Sequence, residues 1–313
     1  VKGLSLRVVT GWALIAAALA ACSSAPVEES QGTLAPVPPS ATATNKAVTT
    51  ISPRATTIAG ADTATRYLAL GDSLTAGYQA ARGEDKTGGY VGIVLQSWQR
   101  RHVGARLTNL ACFGDDTTAM QTGTGSSCSY PEGSQLAAAL ASLRESPGTG
   151  LVTITMGVND IYGCTVVGID DTCLAYATRT VGTALTSMLA QIRAAAPSAV
   201  IVALTYYNPF IATSEGTPDA PVTVAPRVAD TQVATDSTQA FTALNRVIAS
   251  AALAVDGRVA DVVGAFAVTD TSGSPLPVNV QRLCDWTALC RMGDAHPNDA
   301  GYAAIARAVV SVL

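Results

Sequence analysis

Short apolar runs alternate along the chain with longer stretches in which apolar side chains recur every three or four positions. Tyr67 to Leu70, Arg106 to Ala111, Leu151 to Met156, Val200 to Tyr206 and Arg258 to Val263 have the length and content of buried strands. Helical spacing marks Gly92 to Arg100, Ser134 to Leu143, Cys173 to Ala195 and Val228 to Val255. In the last of these, Phe241, Leu244, Ile248, Ala251 and Val255 fall on one face. A final helix is expected after Asn298, with Ala303, Ile305 and Val309 on its apolar side. Strands and helices in this alternation predict an α/β fold whose mostly parallel sheet is covered on both faces. The pattern shows no internal repeat.

The first 65 residues stand outside this pattern. Lys2 and Arg7 precede an apolar run from Val8 to Ala21 that is too short to span a bilayer and ends in small residues, the layout of an export signal over residues 1–21. Leu19-Ala20-Ala21-Cys22 resembles the bacterial lipobox, which implies lipidation of Cys22 and anchoring at the outer face of the cell membrane. Residues 22–65 are rich in Ala, Thr, Pro and Ser, and bury too little to offset the entropy of ordering, so a disordered tether is expected. A flexible chain of that length reaches roughly 35 Å. The domain is thereby expected to span 66–313, enough for one sizeable core.

Charge and cysteine content narrow the classes further. The whole chain carries 19 basic and 23 acidic side chains, and aromatics make up 5% of it. No basic run is present, so nucleic acid is not an expected partner. Six cysteines follow Cys22, an even number that in an exported chain argues for disulfides. They permit fifteen pairings; neighbours in sequence close most easily, which favours Cys112–Cys128, Cys164–Cys173 and Cys284–Cys290. Their spacings are not those of a zinc site, and no metal or cofactor is expected. The stretch "QTGTGSSCSYPEGS" lacks the pattern of a phosphate-binding loop and reads as a closed surface loop.

The candidate chemistry follows from where the strands end. In open parallel sheets ligands bind beyond the carboxyl ends of the strands. Ser73 follows the first strand, Gly114 the second and Asn159 the third, so all three are expected along one edge. A serine nucleophile needs a base, most often histidine, and the chain has two. His102, in "QRRHVG", reads as a surface residue at a helix end. His296 stands in "GDAHPNDAGYAAIA", just before the last helix. Acyl transfer also needs donors aimed at a developing oxyanion. The backbone N–H groups of Ser73 and Gly114 and the amide of Asn159 can supply three.

Together these blocks resemble the SGNH or GDSL hydrolases. "GDSL" at 71–74, Gly114, Gly157-Val158-Asn159-Asp160 and His296-Pro297-Asn298 occur in the family's order over essentially all of residues 66–313. The resemblance, of the actinobacterial secreted-lipoprotein type, implies a flavodoxin-like three-layer α/β/α sandwich. It also implies metal-independent ester hydrolysis with Ser73 as nucleophile, His296 as base, and Ser73, Gly114 and Asn159 as the oxyanion site. The GxSxG elbow of the other large esterase fold is absent around Ser73.

One position departs from the family. Its aspartate usually lies three residues before the histidine; here Gly293 holds that place and Asp294 stands two before. Two orienters of the ring are therefore open, the Asp294 carboxylate or a backbone carbonyl, with Gly293 the first candidate. Cys284 and Cys290 would stiffen the loop that delivers His296. The expected activity is that of a monomeric serine esterase or lipase on a lipid or other acyl ester at the cell envelope. An O-acetyl glycan esterase, or a surface lipoprotein that binds without turnover, are the alternatives. Tyr206, Tyr207 and Phe210 suit an acyl pocket and core packing equally well.

Overall fold

Alternate residues of the first strand point to opposite sides, and both sides are buried. Leu68 and Leu70 join one core cluster while Tyr67 and Ala69 join the other, as the two-residue period of a strand covered on both faces requires. The computed structural model describes residues 66–164, 170–213, 227–229 and 231–313. The signal-like segment, Cys22 and the tether lie outside the described residues.

The chain runs through β1 (Arg66–Gly71), α1 (Gly89–Gln99), β2 (Arg106–Asn109), α2 (Thr117–Thr122), α3 (Gln135–Glu145), β3 (Thr149–Thr155) and α4 (Val158–Tyr162). It continues through α5 (Asp171–Ala195), β4 (Val200–Leu204), β5 (Ala212–Thr213), β6 (Arg227–Val228), α6 (Thr231–Leu253) and β7 (Arg258–Ala260). The last elements are α7 (Val262–Ala265), α8 (Val278–Trp286), α9 (Leu289–Met292) and α10 (Asp299–Val310). Five strands form one parallel sheet in the order β2-β1-β3-β4-β7, and β5 and β6 pair separately as a short antiparallel ribbon. This is the flavodoxin-like order, with the chain reversing direction across the sheet between β1 and β3.

Two layers of helices cover the sheet. Leu136 and Leu143 of α3, Val181, Leu185 and Leu189 of α5, and Leu244 and Ile248 of α6 close one face. Tyr90, Val91 and Val94 of α1, Leu283 of α8, and Tyr302, Ile305 and Val309 of α10 close the other. Each fully buried large side chain stabilises the fold by about 1.5–3 kcal/mol. Among the described residues no helix is long and apolar enough to cross a membrane.

Several elements end earlier than the hydrophobic pattern indicates, each for a local reason. The stretch from Arg258 to Val263 is strand only as far as Ala260, because Asp261 accepts a hydrogen bond from the Gly264 N–H (2.8 Å) and starts α7. β2 stops at Asn109, whose side chain accepts from the Ala111 N–H (3.1 Å) and turns the backbone. The long helix expected from Val228 begins at Thr231, since Val228 pairs with Ala212. All three neighbour-in-sequence disulfides are present, with Cα–Cα separations of 5.9, 5.6 and 5.0 Å.

Candidate active site

Ser73 is presented by a turn that requires glycine where it leaves the sheet. β1 ends at Gly71, whose φ of +136° is open to glycine, and a Cβ there would lie 2.1 Å from the Thr155 carbonyl oxygen. The chain then coils tightly: the Ala76 N–H donates to the Asp72 carbonyl (2.9 Å) and the Tyr78 N–H to the Ser73 carbonyl (3.0 Å). Asp72 points away from solvent. Its carboxyl accepts from the Leu74 N–H (3.0 Å), the Thr155 hydroxyl (2.8 Å) and the Tyr206 hydroxyl (2.5 Å). Burial pushes the Asp72 carboxyl above its ordinary range, against the pull of those three donors.

Behind this turn the hydroxyls continue as a buried chain. Thr155 shares a hydrogen bond with Thr75 (2.8 Å), Thr75 with Tyr90 (2.7 Å), and Tyr67 with Thr153 (2.8 Å). A buried polar network is stable only when satisfied throughout, so these contacts fix the turn in one arrangement.

His296 arrives from the other end of the chain. Its Nε2 lies 2.9 Å from the Ser73 Oγ. Its Nδ1 lies 2.7 Å from Asp294 Oδ1, which also accepts from the His296 backbone N–H at 2.8 Å. The structure thus brings Asp294 to the ring nitrogen, while Gly293 closes α9 at φ +70° with its N–H on the Leu289 carbonyl (2.8 Å). Burial raises the Asp294 carboxyl, but the hydrogen bonds and the charge of His296 outweigh it and hold the group below its ordinary range.

The loop that carries His296 is stitched to the segment before it. The Ala288 N–H donates to the His296 carbonyl (3.0 Å), the Asn298 N–H donates to the Trp286 carbonyl (2.9 Å), and Thr287 forms a bridge with Pro297. Cys284–Cys290 closes that segment on itself. Asn298 then caps α10 by accepting from the Ala300 and Gly301 N–H groups (2.9 and 3.1 Å).

Gly114 and Asn159 approach from β2 and β3. Gly114 has φ +81° with open space where a Cβ would stand, so its backbone conformation alone calls for glycine. The Asn159 amide donates to the Asp115 carbonyl (2.8 Å), which fixes one of its two N–H bonds and leaves the other free to point elsewhere. Among the described residues the N–H groups of Ser73 and Gly114 donate to no protein acceptor. Asp160 accepts from both the backbone and the hydroxyl of Thr117 and so ties α4 to α2; burial pushes its carboxyl up to about 6.

Aromatic rings flank the imidazole. Tyr78 lies 4.6 Å from the His296 ring and 4.6 Å from Phe113, centroid to centroid, and Phe113 lies 5.7 Å from His296. Phe113 is 37% exposed. These two rings escaped the sequence reading, although each adjoins a quoted block: Tyr78 follows the serine turn and Phe113 precedes Gly114. Tyr206 and Tyr207 are buried, and one hydroxyl donates to Asp72 and the other to the Ala295 carbonyl. Phe210 faces Tyr162 and Phe241 instead. His102 stacks on Trp98 at the far end of α1, with centroids 3.9 Å apart.

A parallel sheet of this order, with a serine, a histidine and a carboxylate joined at the carboxyl ends of its strands, has the SGNH hydrolase arrangement. Residues 69–304, about three quarters of the chain, match the model of the GDSL-like Lipase/Acylhydrolase family, and the chain belongs to that family. No curated protein matches it. Among solved structures it is similar to an extracellular lipase from Streptomyces rimosus, with 24% identity over 80% of this chain and 100% of that one at a TM-score of 0.50. It is similar also to phospholipase A1 from Streptomyces albidoflavus NA297 (23% identity, 80% and 98% covered, TM-score 0.50). A lipase from a goat rumen metagenome shares 18% identity, with 79% and 96% covered and a TM-score of 0.50.

Proposed function

We propose that the protein is a serine ester hydrolase. The observation that carries this reading is the continuous contact from Ser73 Oγ through both nitrogens of His296 to Asp294. Ser73 Oγ attacks the ester carbonyl carbon as its proton passes to His296 Nε2, and Asp294 holds the opposite N–H and stabilises the imidazolium. The carbonyl oxygen, now negative, accepts from the N–H groups of Ser73 and Gly114 and from the free N–H of Asn159, each donor worth about 3–4 kcal/mol. His296 then gives its proton to the departing alcohol as the carbon–oxygen bond breaks. Water repeats the sequence and releases the acid, so these side chains suffice without a cofactor.

The substrate is an ester with an apolar portion. Support comes from the Tyr78 and Phe113 rings beside His296, which offer apolar surface and no cation to the reacting group. The lipobox-like Cys22 and the tether after it support a place at the outer face of the cell membrane, held by lipid.

A fluorophosphonate probe and a panel of p-nitrophenyl esters from acetate to palmitate test the reading. Wild type should label and turn over; Ser73→Ala should lose the label, with kcat lower by about 10⁶-fold. A wild type that neither labels nor hydrolyses any chain length would refute it. An optimum at acetate would move the substrate to acetylated glycans.

A further inference from the structure

Gln135, the first residue of α3, is completely buried, and its hydrogen bonds go to Gly71 and Asp115 rather than to Ser73, His296 or Asp294. Its amide brackets the backbone of one residue and reaches a second segment. Oε1 accepts from the Gly71 N–H (2.6 Å), and Nε2 donates to the Gly71 carbonyl (3.0 Å) and to Asp115 Oδ2 (3.1 Å). Gly71 lies two residues before Ser73, and Asp115 directly follows Gly114. The main-chain carbonyl of Asp115 is also the acceptor that fixes the Asn159 amide (2.8 Å). All three oxyanion donors therefore hang on one hydrogen-bonded line that passes through Gln135 and Asp115.

Regular pairing does not reach this far. The β1–β2 register ends at Ala69 opposite Asn109. Beyond it the Leu110 N–H still reaches the Ala69 carbonyl and the Cys112 N–H the Gly71 carbonyl, both at 3.0 Å. Past Cys112, among the described residues, no sheet bond holds the segment bearing Gly114 against the one bearing Ser73. A buried glutamine with donors and acceptor all engaged is costly to displace, because each group loses its partner in a place water does not reach.

We propose that Gln135 is a positioning residue of the oxyanion site. It rests on the hydrolase reading above: it sets the spacing between the Ser73 and Gly114 N–H groups and, through Asp115, the direction of the Asn159 amide. Misplacing preorganised donors by an ångström weakens transition-state binding while leaving ground-state binding nearly untouched.

The test uses Gln135→Met, which removes every polar contact, and Gln135→Glu, which keeps the volume and the acceptor for Gly71 but, as a buried acid, retains at most one of the two donations. Each is assayed with p-nitrophenyl butyrate and with an alkyl trifluoromethyl ketone, whose adduct with serine carries the oxyanion. The expected result is a kcat lower by about tenfold to a hundredfold with KM held within about twofold, and a ketone affinity lower by the same factor as kcat. Folding is checked by thermal unfolding, and Gln135→Glu carries the test where Gln135→Met does not fold. A folded variant that retains full kcat overturns the inference alone, as does a loss of kcat with unchanged ketone affinity. A wild type inert to both ester and ketone overturns the hydrolase reading and this inference with it.

Discussion

The turn that carries Ser73 and the loop that carries His296 solve the same problem by opposite means. The serine turn is locked from beneath: Asp72 is inaccessible, and hydroxyls from β3, α1 and the segment after β4 converge on it and on its neighbours. The histidine loop is locked from beside, by backbone bonds to residues a few positions away, by the Cys284–Cys290 bridge and by a carboxylate two residues upstream. The two carboxylates respond accordingly. Burial dominates at Asp72 and raises it, whereas at Asp294 the imidazole prevails and lowers it. Long-range packing fixes Ser73, whereas His296 is held mainly by local covalent and hydrogen-bonded geometry, with one long-range bond from the Tyr207 hydroxyl to the Ala295 carbonyl.

The largest way to break this contrast is Asp294→Asn. If the carboxylate orients His296, kcat on the best p-nitrophenyl ester should fall by up to about 10⁴-fold with the fold intact, while a loss under about tenfold would transfer that role to a carbonyl. On the serine side, Tyr206→Phe removes a donor to a buried carboxyl and leaves its oxygen unsatisfied; urea unfolding should show a loss of about 3 kcal/mol. The paired change Cys284→Ser with Cys290→Ser frees only a short loop, with a sequence separation of 6. The expected cost is about 2 kcal/mol, with kcat reduced as well; an unchanged kcat would deny the histidine loop its dependence on the bridge.

The smallest effect sharpens the comparison most. A carboxyl raised by folding contributes stability in acid that fades as pH rises through its folded value, and a lowered one contributes stability that fades as pH falls through its own. Stability measured from about pH 3 to 7, wild type minus variant, should therefore slope downward for Asp72→Asn and upward for Asp294→Asn. Slopes of the same sign would show that the two environments do not differ in kind.

Sheet, layers and the rim of candidate residues were legible because strand ends and the order of short blocks are properties of sequence. Asn298 announces its helix, and Ser73, Gly114 and Asn159 each follow a strand while His296 precedes that helix. What the pattern hid were contacts made by residues that look ordinary in isolation. Tyr206 and Tyr207 suit a pocket or the core equally well in the pattern, which does not show that their hydroxyls reach Asp72 and the Ala295 carbonyl. Gln135 opens a helix and gave no signal, since its partners lie 64 and 20 positions away. The choice between Asp294 and Gly293 was open because it depends on how a six-residue loop folds back on itself. The short helices α2, α4, α7, α8 and α9 are each too brief for a periodicity to register.

The 223 positions between Ser73 and His296 carry a temporal consequence. On the proposed mechanism, a chain made from its amino end bears the Ser73 hydroxyl before its base exists. It gains the pair only once the segment bearing His296 has been made and has docked, so on that mechanism an incomplete copy lacks the means to activate the serine.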